Sequence, residues 1–140
     1  MADITVTAAQ VAVVNENEAE MSTGIVASGV TITKGQAVAI NSTGYLVLAD
    51  GSTGAPNGFR GIALTGGTAG EPLTYLEEGS CYGFTLTGAD YGDTIFLSNT
   101  AGALDDATGG DVAVACGRVK PLHDGATPSK VLFVNARRLA

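Results

Sequence analysis

Apolar and polar residues alternate along most of this chain, in short runs broken by glycine. VTITKG, QAVAIN, YLVLAD, FRGIAL, PLTYLEEG, CYGFTLTG, DTIFLSN, DVAVACGRV and KVLFVNARRL each join β-branched or aromatic residues to a near two-residue period. That is the pattern of strands with one face turned inward. ITVT and TGIVAS, further upstream, read the same way. The connecting stretches GSTGAPNG, TGGTAGEP, TGADYGD, NTAGALDDATGGD and HDGATPSK are rich in residues that permit turns. With no sustained helical period, the expected fold is all-β, a compact sandwich or barrel.

The pattern repeats internally. KGQAVAINSTGYLVL (Lys34 to Leu48) aligns with YGDTIFLSNTAGALDDA (Tyr91 to Ala107) as G-[QD]-x-[VI]-x-[IL]-[NS]-x-T, followed by Gly and Leu. GIVASG and GFTLTG precede the two copies, and RGIAL and CGRVKPL follow them, each leading to an apolar strand, PLTYL or KVLFV. Two pseudo-symmetric β units packed face to face are expected.

The first residues differ. TAAQVAVVNENEAEMS has an apolar half, Ala8 to Val14, and an acidic half, Asn15 to Glu20. It suits an extended N-terminal arm (residues 1–21) on a β domain (residues 22–140), with a short helical turn around Thr7 to Ala12. Val11, Val13 and Val14 fit docking on a partner chain; the alternative is an edge strand on the arm's own sheet.

Composition narrows the function. A chain of 140 residues supports one domain and one core. The net charge of -7 opposes a sequence-independent grip on nucleic acid or an anionic membrane. No apolar run reaches the length of a membrane-spanning helix. MADITVTAAQ lacks the form of a signal peptide, so synthesis in a reducing cytoplasm is expected.

Candidate chemistry is sparse. His123 is the single histidine and sits in a turn with no G-x-S-x-G elbow elsewhere to serve. Cys81 and Cys116 lie in strand-like segments without C-x-x-C spacing, as small buried hydrophobes do. LDDATGGD, with Asp105, Asp106 and Asp111, misses the calcium-loop pattern and reads as a turn of solvated carboxylates. GGTAGE lacks the Lys-[ST] of a phosphate loop and reads as a hairpin connection. No enzyme, cofactor or metal is expected. Arg60, Arg137 and Arg138 are the notable cations, suited to ion pairs with an acidic neighbouring surface.

Taken in order, VTITKGQAVAINSTGYLVLAD, GFRGIALTGGTAGEPLTYLEEG, YGDTIFLSNTAGAL, GRVKPL and KVLFV resemble the small capsid cement (decoration) proteins of tailed bacteriophages. The resemblance runs from near Gly24 to the end of the chain. It implies a homotrimer on the outer surface of the virion capsid that staples neighbouring copies of the major capsid protein. An arm adding shell contacts also follows from it, and no catalytic residue does. The contact candidates are then Val11, Val13, Val14, Arg60, Arg137 and Arg138. A second reading is a glycan- or host-binding β module of a fibre or tail tip, which calls for aromatic residues clustered in loops.

Overall fold

The computed structural model describes residues 3–56, 58–108 and 111–136. Its strands, in chain order, are β1 (Ala12–Val13), β2 (Glu20–Ile25), β3 (Thr31–Ile32), β4 (Ala37–Ile40), β5 (Leu46–Leu48), β6 (Phe59–Ala63), β7 (Gly67–Thr68), β8 (Pro72–Tyr82), β9 (Thr94–Leu97), β10 (Leu104–Asp105), β11 (Ala115–Leu122) and β12 (Ser129–Asn135). The fold is all-β. One antiparallel sheet follows the path β10-β9-β11-β12-β8-β6-β4-β5, with β1 and β2 also on β8, and β3 and β7 form a separate ribbon. The large sheet curls into a half-barrel.

The path contains the same four-strand motif twice, β5-β4-β6-β8 and β10-β9-β11-β12. Details match at the level of single bonds. The Gly35 N–H reaches the Ala63 carbonyl at 2.8 Å, and the Gly92 N–H reaches the Val119 carbonyl at 2.8 Å. In return, Ala63 donates to the Gln36 carbonyl and Val119 to the Asp93 carbonyl. The Gln36 side chain accepts the Thr33 N–H, and the Asp93 side chain accepts the Asp90 N–H. Gly35 and Gly92 turn the chain into β4 and β9 at φ 90 and 88, where a side chain would be strained.

The two units also share an equivalent bulge. Val38 and Ala39 pair with Gly61 and Phe59, leaving Arg60 as the extra residue; Ile95 and Phe96 pair with Gly117 and Ala115, leaving Cys116. The glycine is required because its neighbour is backbone: a Cβ on Gly61 would strike the Leu76 carbonyl oxygen, and one on Gly117 the Phe133 carbonyl oxygen.

The units do not meet face to face. Val38, Leu46, Ala63 and Tyr75 fill a small core with Val26, Ile32 and Leu73. Their equivalents Ile95, Leu104, Val119 and Leu132 instead belong to the main core, together with Ala37, Ala39, Ile62 and Leu76 from the opposite face of the first unit. The second unit therefore lays its core face on the back of the first. This explains AVAI, a continuous apolar run whose first three residues are fully buried: β4 is covered on both faces.

For the N-terminal arm, the edge-strand placement is the one observed. The Ile4 N–H donates to the Leu104 carbonyl at 2.8 Å, as the Ala27 N–H donates to Leu46 in the first unit at 2.9 Å. The arm thus closes the second unit where residues 26–27 close the first. A 3-10 turn at Ala8–Gln10 follows, then β1 pairs with β8 through Ala12–Tyr82 and Val13–Cys81. Ile4 and Val11 are buried in the main core, and Val6 and Val13 pack against it.

Candidate docking surface

β8 is the axis of the sheet, and its two edges are used differently. Leu76 pairs with both Met21 and Ile62, and Cys81 with both Val13 and Leu132. A residue's two partners lie on opposite edges, so β6 and β12 share one edge while β1 and β2 run along the other. The 3-10 turn at Glu16–Glu18, capped by Asn15 accepting the Asn17 N–H, separates β1 from β2.

On its far edge β2 meets β5 at its C-terminal end, where Val26 bridges Leu46, and from Met21 to Thr23 that edge carries no strand among the described residues. The Val26 N–H donates across to Glu71 at 3.0 Å, so by alternation Gly24 and Ser22 also face β8. Met21 and Thr23 then direct their N–H and C=O groups to the open stretch, while those of Ile25 face the bridge to β5. Thr23 and Thr74 hydroxyls lie 3.4 Å apart, which places Met21, Thr23 and Ile25 on the face shared with Thr74. Met21 and Ile25 are 42% and 39% exposed, large apolar side chains on either side of Thr23. Between Met21 and Ile25 the strand carries no proline and no charge, the devices that blunt edge strands. Carboxylates flank its N-terminal end: Glu16 and Glu18 in the turn, and Glu20 directly opposite Glu78. Glu77 accepts a hydrogen bond from the Ser22 hydroxyl.

The expected contact residues do not gather here. Val11 is only 2% exposed and belongs to the main core, so it is a packing residue and not a surface contact. It seats against Gly83, whose absent side chain makes room for the Val11 backbone. Val13 and Val14 are half-buried, and the Val14 N–H donates to the Ser80 carbonyl at 3.0 Å. Arg60 is exposed on β6, across β8 from Val13 and Val14. Arg137 and Arg138 lie outside the described residues.

The residues weighed for chemistry are dispersed. His123 is exposed in the β11–β12 turn. Cys81 and Cys116 are buried thiols not joined in a disulfide, and burial pushes the Cys81 thiol up to about 12. Glu71 accepts both the N–H and the hydroxyl of Thr68, which holds its carboxyl below the usual range and ties the GGTAGE hairpin. Among the described residues, no three His, Cys, Asp or Glu side chains converge as metal ligands.

LDDATGGD is not a turn of solvated carboxylates throughout. Asp105 is not solvated; it is 5% exposed in β10, bridged to Asp3 of the arm, with one carboxylate oxygen lacking a hydrogen-bond partner among the described residues. Burial first, and Asp3 beside it second, raise its pKa. The arm covers it. Asp111 behaves as expected of a turn residue, accepting from the Thr53 N–H and the Asn99 side chain.

Composition could not reveal the open edge, since EMSTGI reads like any other strand until its neighbours are known. The acidic run just before it is the one local cue. No family model, curated protein or solved structure matches the chain.

Proposed function

We propose that this protein is a capsid cement protein that binds the outer surface of a phage shell and staples neighbouring major capsid subunits. The observation that carries the reading is the open β2 edge. Backbone donors and acceptors at Met21 and Thr23, bordered by the exposed apolar side chains of Met21 and Ile25, suit strand addition by a short partner segment, a mode in which main-chain bonds supply affinity. The flanking carboxylates favour a basic partner segment. The ordered series of motifs shared with cement proteins supports the same conclusion. Assembly as a homotrimer belongs to the proposal, because three joined sites raise effective concentration and slow release even when each contact is weak.

The test is co-sedimentation with expanded capsid shells, followed by thermal disruption of decorated and bare particles. Decoration is expected to raise the disruption temperature. Thr23→Pro is the informative variant: it removes one outward donor while the bonds from Ser22 and Gly24 to β8 remain. It should stay folded and lose shell affinity by tenfold or more. Identical melting of decorated and bare shells would refute stapling, and full affinity in folded Thr23→Pro would refute the edge as the docking site.

A further inference from the structure

A second feature lies just beyond β2, where the chain leaves the open edge. Val26, Ala27, Ser28, Asn41, Thr43 and Tyr45, with the hairpin backbone at Ala69 and Gly70, line a groove of about 570 Å³, within the size range of small-ligand sites. Its most exposed large side chain is Tyr45, at 46%. An aromatic ring left this open offers an apolar face and a polar tip together.

The groove is held in shape before any ligand arrives. The Asn41 side-chain oxygen accepts three bonds, from the Thr43 N–H at 3.0 Å, the Thr43 hydroxyl at 2.9 Å and the Tyr45 N–H at 3.0 Å. This fixes the amide plane and leaves the Asn41 Nδ2 donor with no partner among the described residues. Gly44, at φ 92, closes the turn. The other walls are tied by the Ala27 N–H to Leu46 at 2.9 Å and the Gly70 N–H to Val26 at 2.9 Å. Little ordering cost remains to be met on binding.

Chemistry selects the ligand class. The lining offers a ring face, an amide donor and two hydroxyls, and no charged side chain among its residues. Glu71, which follows Gly70 in the chain and accepts two bonds from Thr68, adds a nearby negative charge that disfavours anionic ligands. A neutral ligand is indicated, with C–H faces to lie on a ring and hydroxyls to exchange bonds with side-chain donors and acceptors. We infer that this groove binds a neutral saccharide, with the sugar ring on Tyr45 and its hydroxyls on Asn41, Ser28 and Thr43. The inference goes beyond stapling and does not rest on it. A site weak by itself gains avidity wherever many copies are displayed on one surface.

The experiment is an amide-resolved NMR titration of the full chain with maltotriose, cellotriose and N,N′-diacetylchitobiose, and with sialyllactose as the anionic control. At least one neutral sugar, at millimolar concentration, should shift the amides of Ser28, Thr43, Tyr45 and Gly70 together. The control should shift them less. Tyr45→Ala, a change at an exposed position that leaves the core intact, should weaken binding at least tenfold; Ser28→Ala should weaken it severalfold. No response to any neutral sugar overturns the inference, as do shifts centred elsewhere, unchanged affinity in Tyr45→Ala, or a stronger response to sialyllactose. Shell binding plays no part in this readout, so the two readings fail separately.

Discussion

Replacing Val11 by alanine separates an arm that is part of the fold from an arm kept for a partner. Val11 is 2% exposed and lies in the main core with Ile4, Cys81 and Leu132. The change removes two methyl groups from a closed site, at about 0.8 kcal/mol each in transfer free energy. The cavity left behind adds to this, because Gly83 presses backbone against backbone there and cannot follow the shrinking side chain. A total of about 2–3 kcal/mol follows, and at about 3–5 °C per kcal/mol for a domain of this size the midpoint should fall by about 6–15 °C. The assay is thermal unfolding followed by circular dichroism at neutral pH, with Val14→Ala as the control. Val14 is half-buried and its link to Ser80 runs through the backbone, so that variant should lose about 1 kcal/mol or less. A Val11→Ala midpoint within 2 °C of the parent would show that the arm contributes nothing to the domain. The same reasoning predicts that removal of residues 2–14 unfolds the protein, since the cut strips Ile4, Val6, Val11 and Val13 from the core at once.

Two further outcomes are expected. Gly61→Ala and Gly117→Ala should each destabilise by about 1–3 kcal/mol or more, because the new methyl group meets a carbonyl oxygen of the adjacent strand, and strand backbone cannot yield as a side chain does; equal midpoints for parent and variants in urea unfolding would refute the equivalence of the two bulges. Asp105→Asn should stabilise at pH 7: the raised pKa of Asp105 means that the fold favours the protonated acid, so the parent holds its full stability below about pH 4 and loses it as pH rises through the folded-state value. The variant's advantage in midpoint temperature should vanish near pH 3, and a variant less stable than the parent at pH 7 would contradict this.

The sequence was most informative where one local rule sufficed. Alternation marked the strands, and Gly, Pro, Asn and Asp marked the turns, because strand burial and turn geometry act over a few residues. The two-unit organisation was legible for the same reason: Gly35 and Gly92 answer one backbone demand made twice, as do Gly61 and Gly117. Pairing and packing were decided only by the tertiary structure. Val11 reads as a patch of apolar surface until Gly83 and Gly35 are seen to receive it, and Asp105 reads as a turn residue until Asp3 is found beside it. Beyond the acidic run that precedes it, the open edge of β2 has no sequence signature, and the groove at Tyr45 has none, since each is defined by which strand lies alongside and which does not. Hydrophobic periodicity specifies that a face must be covered; what covers it depends on contacts distant along the chain. That is why the all-β class was readable from the residues in order, and why the docking edge and the saccharide groove had to wait for the fold.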